Sequence, residues 1–283
     1  MVGVSKRVEA PSQDHREFTM TYANFAHIRD VAYNLTGITL SDHKQNMIYG
    51  RLARRLRALG LSSFDDYCNL LSEESPELHE FINAITTNLT AFFRENHHFD
   101  FLKTTAFPNI IRKNMASKRL RIWSAGCSTG EEPYSIAMTL SATAGFNQWD
   151  AKILATDLDS NVVEKGRRGI YQEDRCTGIP NEYNRYLKRN PSTGEIKIRE
   201  DVQAKIAFKQ LNLLHQWPMK GPFDIIFCRN VVIYFDQETQ KKLFARYHKM
   251  LAEGGYLFIG HSENLSRVSN DFTSLGKTMY QKK

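Results

Sequence analysis

Two adjacent carboxylates, Glu131 and Glu132, directly follow a run of small residues in the segment 120–134, LRIWSAGCSTGEEPY. Leu120-Arg121-Ile122-Trp123 alternates as a short strand does. Ser124 to Gly130 is the small-residue loop, and Glu131-Glu132-Pro133 opens a helix, where acids suit the positive first turn and proline is tolerated. A strand, small-residue loop and helix let a nucleotide-like ligand approach the backbone of an α/β sheet. The chemistry is not that of a phosphate cradle. Neither G-x-x-x-x-G-K-[ST] nor G-x-G-x-x-G is present, and a carboxylate at this place repels anions and attracts an ammonium or sulfonium. An ordinary tight strand-to-helix turn accounts for the same residues, so the neighbours must decide.

Three further groups of polar residues stand where a sheet would present them to a ligand. Asp157 closes the apolar run Lys152–Thr156, at the strand end where nucleoside-binding sheets grip ribose hydroxyls. Arg229 and Asn230 follow the apolar run 223–228, FDIIFC, with Tyr234 four residues on. Asn88, Thr90 and Arg94 lie in TTNLTAFFREN, 86–96, between a helical region and the sheet. Asn88 and Thr90 suit a carboxylate or ribose and Arg94 an anion, although a capped helix end would use the same types. An ammonium, a sulfonium and a ribose occur together in S-adenosylmethionine. His97 and His98 are adjacent on a helix, where successive side chains diverge by about 100°, so no metal site is expected.

The elements that must hold these residues are legible from periodicity. Residues 1–17 are polar and expected to be a flexible tail. Residues 18–88 form a helical domain. Phe25, Ile28, Ala32 and Leu35 share one face, with Gly37 as the stop. Ser41 is expected to cap a second helix with the stripe Ile48, Leu52, Leu56 and Leu59, and Gly60 ends it. Ser63 begins a short helix, and Pro76 opens another with Leu78, Phe81, Ile82, Ile85 and Leu89 inward. The second helix carries Lys44, Arg51, Arg54, Arg55 and Arg57 with almost no acids. A solvated face explains such a run; docking of an acidic partner through Arg51, Arg54 and Arg55 is the sharper reading. Residues 89–283 form an α/β domain. A linking helix covers 99–113, and strands cover 120–123, 152–157, 223–228 and 256–259. A small antiparallel insertion spans about 171–208 and includes Lys205–Phe208, and a terminal hairpin lies at 272–280. Parallel strands ending in that hairpin are the layout of class I methyltransferases.

Composition narrows the partners. With 38 Lys and Arg against 31 Asp and Glu, the formal charge is +7, which favours nucleic acid, anionic lipid or an acidic protein. The four cysteines, Cys68, Cys127, Cys176 and Cys228, are far apart and expected to be reduced. No run is long enough to span a membrane and no signal-peptide core is present, so a cytoplasmic protein without membrane insertion is expected.

With these residues in view, the chain resembles the CheR family of chemotaxis receptor methyltransferases. The marks are TTNLTAFFRE at 86–95, WSAGCSTGEEPYSIA at 123–137, ATDLD at 155–159, FDIIFCRNVVIYF at 223–235 and GHSEN at 260–264. The resemblance implies methyl transfer from S-adenosyl-L-methionine to glutamate side chains of chemoreceptor cytoplasmic helices, leaving S-adenosyl-L-homocysteine. It implies cofactor contacts at Asn88, Thr90, Arg94, Glu132, Asp157, Asn212, Leu213, Arg229 and Asn230. Asp157 is assigned to ribose, Glu132 to the methionine ammonium, Arg94 to a carboxylate near the reaction, and Tyr234 to the transfer site. A nucleic-acid methyltransferase is disfavoured, because Arg229-Asn230-Val231-Val232 stands where amino-group methylation of bases uses an Asn/Asp-Pro-Pro-Tyr/Phe run. A small-molecule methyltransferase leaves the basic helix without a role, and a non-enzymatic cofactor-binding adaptor leaves the crevice residues without one. Some relatives hold a receptor's C-terminal pentapeptide on a glycine-rich insertion loop. Here the loop Lys188–Gly194 keeps one glycine and carries Pro191, so weak or absent pentapeptide binding is expected.

Overall fold

The computed structural model describes residues 16–72, 74–146 and 148–283; residues 1–15 of the expected tail lie outside these. The chain begins with four helices. α1 (Tyr22–Thr36) starts in a capping box between Thr21 and Asn24 and stops at Gly37, whose φ of 71° is left-handed. α2 (Gln45–Leu59) stops at Gly60 in the same way. α3 (Phe64–Leu70) is capped by the Ser63 hydroxyl, which accepts the Asp66 N–H at 3.1 Å. α4 (Glu77–Ile85) completes the group. Phe25, Ile28, Ile48, Leu52, Leu56, Phe64 and Phe81 make its core.

Three local expectations are corrected. Ser41 precedes a single 3-10 turn, Asp42–Lys44, and its side chain caps nothing. Leu59 is exposed, and Ala53 joins the buried stripe of α2 instead. Leu89 is 76% exposed; α4 ends at Ile85, so helical spacing no longer governs the residues after it.

The arginines of α2 are less free than their sequence neighbours suggest. Arg51 donates from Nη1 to the carbonyls of Ala84 (3.2 Å), Ile85 (3.1 Å) and Thr86 (2.5 Å), closing the C-terminal end of α4. Arg55 grips the buried Glu77 from Nε at 2.8 Å and Nη2 at 2.6 Å, and the Tyr67 hydroxyl donates to the same carboxylate. Arg57 pairs with Glu17 at 2.8 Å. The balancing acids thus come from elsewhere in the chain. Arg54 is exposed and has no ion pair among the described residues.

A connection of α5 (His97–Phe101), a π turn and α6 (Phe107–Asn114) leads to the sheet. Its strands are β1 (Arg119–Ala125), β2 (Asp150–Asp157), β6 (Ile206–Gln210), β7 (Phe223–Cys228), β8 (Leu251–Ile259), β9 (Phe272–Gly276) and β10 (Met279–Lys282). Their order is β6-β2-β1-β7-β8-β10-β9. The first five are parallel, and β10 pairs antiparallel with both β8 and β9. α7 (Glu131–Ala142), α8 (Ser160–Arg168) and α10 (Gln237–Met250) are the crossovers. Alternation along β1 and β7 sends Ile122, Ile225 and Phe227 to one core and Trp123, Ile226 and Cys228 to the other. The insertion is a three-stranded antiparallel sheet of β3 (Ile170–Gln172), β5 (Glu195–Ile198) and β4 (Leu187–Asn190), followed by the short α9 (Glu200–Gln203). The stretch Lys205–Phe208 is not part of it: from Ile206 the chain is β6, the parallel edge of the main sheet. Alternation alone cannot distinguish the two placements. Strand order reverses between β1 and β7, which opens a crevice at their carboxyl ends.

Because Glu77 is 5% exposed, Arg55→Ala leaves a buried carboxylate without its cation. A loss of about 3 kcal/mol is expected, read as a lowered denaturant midpoint with an unchanged slope.

Candidate active site

The crevice is a cleft of roughly 1100 Å³, open to solvent at its mouth. Its floor is the carboxyl edge of the sheet, and one wall comes from the helical domain through Thr36, Ile38, Leu40, Lys44 and Met47. Asn88, Thr90, Arg94, Glu132, Asp157, Asn212, Leu213, Arg229, Asn230 and Tyr234 all line it. These ten residues therefore meet in one place, although they span almost 150 positions; Arg51, Arg54, Arg55 and Glu131 are not among the lining.

Backbone approach shapes the floor. Gly126, at the end of β1, has φ +97°, and a Cβ there would lie 2.2 Å from Val231 Cγ2. The β1–α7 loop and the loop after β7 are too close for any side chain at that point. Ser128 donates its backbone N–H to Asp157 Oδ2 at 2.8 Å, and the Asp159 N–H reaches Oδ1 at 3.1 Å. Burial nevertheless raises the Asp157 carboxyl to about 6, against these two donors.

Several side chains hold the protein as well as facing the cleft. Asn88 Nδ2 donates to Asp159 Oδ2 at 2.7 Å, and the Thr86 hydroxyl reaches the same oxygen at 3.0 Å. Asp159 also caps α8 through Oδ1. This acid lies in the ATDLD block, but its part as an anchor for 86–88 is visible only in three dimensions. Asn212 is bonded at both ends, from Nδ2 to the Leu35 carbonyl of α1 and from the Leu214 N–H to Oδ1. Leu213 is a buried side chain whose carbonyl accepts Trp217 and Arg246. Arg94 turns its guanidinium onto the Leu89 carbonyl at 2.9 Å. Tyr234 sits in a 3-10 turn, Val232–Tyr234, with the Lys44 ammonium 4.8 Å from its ring centre.

The acids at the start of α7 have cations of their own. Glu132 accepts the Ser124 hydroxyl at 2.7 Å and faces Arg229 Nη1 at 3.2 Å. Burial raises its carboxyl, while Arg229 and Ser124 oppose that rise. Its attraction for a ligand ammonium is thus shared with Arg229. Glu131 is fully buried and bonded to Arg175, from the segment after β3, and to Thr129. Nothing in the sequence near Arg175 announces that pairing. Arg229 also donates to the Arg94 carbonyl and lies 3.5 Å from Glu95.

His97 and His98 do not diverge as their adjacent places on a helix predict. Both rings reach the Lys277 carbonyl, with centroids 4.2 Å apart, and together with Glu95 they place possible ligand atoms within 4.8 Å of one another. His98 is buried and held neutral, its pKa lowered to about 3 chiefly by burial and then by Arg229. The adjacent Arg229 opposes any cation there.

Two family models match the chain. The CheR methyltransferase all-alpha domain covers residues 23–86, and the CheR methyltransferase SAM-binding domain covers 88–281. The chain belongs to the CheR methyltransferase family. It is 47% identical over 264 residues to a chemotaxis protein methyltransferase of Escherichia coli K12, covering 91% of this chain and 90% of that one. A chemotaxis protein methyltransferase of Klebsiella aerogenes is 44% identical, covering 96% and 93%, and chemotaxis protein methyltransferase 2 of Pseudomonas aeruginosa is 43% identical, covering 96% and 97%. The enzyme is an S-adenosylmethionine-dependent methyltransferase. The cleft fits that cofactor: its lining offers carboxylates at the end of β2, Asp157, and at the start of α7, Glu132, with Gly126 just after β1.

Asp157 supplies the pH test. An ionised carboxylate accepts hydrogen bonds from hydroxyls on both oxygens, and protonation takes one of those acceptors away. Cofactor affinity, measured by calorimetry, is expected to fall as pH drops through about 6. In Asp157→Asn affinity should be lower at neutral pH and that dependence absent; an unchanged pH profile in the folded variant would remove Asp157 from the cofactor site.

Proposed function

We propose that the enzyme methylates glutamate side chains on the cytoplasmic helices of chemoreceptors, in the cytoplasm, using residues 18–88 as the docking domain and 89–283 as the transfer domain. The observation that carries this reading is the wall of the cleft supplied by the helical domain, with Lys44 at the mouth beside Tyr234. A cation there suits an anionic acceptor. The names of the relatives, chemotaxis protein methyltransferases, support the same reading. Among the described residues no helix is long and apolar enough to cross a membrane.

The chemistry asks little of acid–base groups. A glutamate carboxylate has a free pKa of about 4.3 and is ionised at neutral pH, so no general base is needed. Bound S-adenosylmethionine supplies a methyl group on a positively charged sulfur. The protein's work is to orient the acceptor and exclude water, a contribution that reaches about 7–11 kcal/mol in favourable cases. In this reading Asp157 holds ribose hydroxyls. Thr90, Asn212, Leu213 and Asn230 complete the cofactor wall, with Asn88 fixed to Asp159. Glu132 and Arg229 set opposite charges against the methionine end, and Arg94 orients a carboxylate. Tyr234 lines the acceptor path.

The docking face is smaller than the sequence of α2 suggested. Arg51 and Arg55 are tied to α4, so of the three arginines only Arg54 faces outward, while Lys44 faces the cleft beside Tyr234. Arg54→Glu should reduce receptor methylation several-fold while leaving cofactor affinity unchanged, and added salt should lower the wild-type rate. The assay is label transfer from radioactive cofactor to a receptor cytoplasmic fragment, with RNA and DNA as parallel acceptors. Base-labile label on protein is expected; label on nucleic acid alone would overturn the reading. A receptor C-terminal pentapeptide should bind weakly or not at all, because the insertion turn Pro191–Gly194 keeps a single glycine. Micromolar binding in calorimetry that is lost on changing Gly194 or Arg199 would contradict this.

A further inference from the structure

Glu263, in the GHSEN block after β8, is 5% exposed and takes no part in the chemistry described above. Its carboxylate accepts four backbone N–H groups. Oε1 receives Val231 at 2.9 Å and Val232 at 3.0 Å, and Oε2 receives Asn230 at 3.0 Å and Gly260 at 2.5 Å. Among the described residues the groups acting most on its charge are those four N–H groups, with no cation among them. Burying a carboxylate without a counter-charge is costly unless its hydrogen-bonding capacity is filled, and here convergent backbone donors fill it, as they do around bound anions.

Three of those donors belong to the loop after β7. That loop needs an external hold. Asn230 has φ +58°, a left-handed conformation uncommon outside glycine, although asparagine is among the residues that adopt it most often. Gly260 packs against it so closely that a Cβ would lie 2.4 Å from Asn230 Nδ2. One residue further, Val231 closes onto Gly126. Arg229, Asn230, Val231 and Tyr234 of this loop all line the cleft.

We infer that Glu263 is a positioning residue for methyl transfer: it acts as a built-in anion that fixes the backbone of 230–232, and through it the groups this loop presents to the cofactor and the acceptor. It touches neither. Burial raises its carboxyl and the four donors oppose the rise, so the ionised form depends on the loop just as the loop depends on it. The inference rests on the proposed transfer only for its kinetic readout, since cofactor binding can be measured without a receptor.

Glu263→Gln keeps the shape and turns an amide NH₂ toward one pair of donors. Displacing a reacting group by about 1 Å costs on the order of 100-fold in rate. At saturating cofactor kcat is therefore expected to fall by about 100-fold, with receptor KM within about threefold, because Lys44 and Arg54 lie on another domain. Cofactor Kd should rise about tenfold, through Arg229 and Asn230. Glu263→Asp, which keeps the charge but shortens the reach, should retain more activity than Gln despite its smaller volume. Val202→Ala, in the insertion, is the stability control: it should lower the melting temperature without changing kcat or Kd. A folded Gln variant with kcat and cofactor Kd both within threefold of wild type overturns the inference. If Gln does not fold, Asp decides, by a loss of at least tenfold in kcat or Kd against no change. If the wild type methylates no receptor, the cofactor Kd alone decides.

Discussion

A buried guanidinium ties the site together. Arg229 emerges from the end of β7 with its side chain 3% exposed. It faces Glu132 in the first turn of α7, donates to the backbone carbonyl of Arg94, and lies near Glu95. Three stretches far apart in sequence thus share one charge. Removing water from such a cluster costs several kcal/mol per ion, offset only when partners are in place. Each partner is therefore held where the others require it. Glu95 continues the network to His261, with 3.0 Å between its Oε1 and Nδ1, and the neighbouring residue in sequence, Gly260, packs against Asn230. The segment 88–95, the loop after β1 and the loop after β7 form one connected frame around the open cleft.

The helical domain adds to that frame rather than hanging beside it. Tyr33 donates to Asp236 at 2.7 Å, the Thr39 N–H reaches the Tyr234 carbonyl at 2.8 Å, and Asn212 reaches the carbonyl of Leu35. On the other side, His79 and Asn83 meet Ser160 at the start of α8. These bonds fix the helical domain's wall of the cleft relative to the carboxyl edge of the sheet. In the proposed function, the physical consequence is orientation: Lys44 and its neighbours on that wall hold a fixed position relative to Asp157 and Arg229.

Much of this was legible in the sequence, and the reasons are local. Asp157 and Arg229 follow apolar runs whose strand character is plain, so their place at the carboxyl edge follows from chain direction. The small-residue run Ser124–Gly130 marked a close backbone approach, but that Val231 makes it at Gly126 is visible only in three dimensions. What could not be read were relationships set by distant packing. Glu131 finds its cation in Arg175, and Glu77 finds Arg55, across gaps that no helical or strand period encodes. For the same reason α2 looked more exposed than it is. Lys205–Phe208 alternates as either an insertion strand or a sheet edge would, and only pairing with β2 decides. His97 and His98 were expected to diverge, yet both turn to one carbonyl at the β9–β10 hairpin.

A double-mutant cycle on Arg229 and Glu132, read as cofactor affinity by calorimetry with folding checked in parallel, tests the shared-charge account most directly. If one buried charge cluster sets the site, Arg229→Met and Glu132→Gln each weaken binding strongly, and the pair together costs clearly less than the sum of the two. Coupling energies of about 0.5–3 kcal/mol are typical of residues in one network. Strictly additive losses in folded variants would contradict the account, because they would mean that Arg229 and Glu132 serve the cofactor independently.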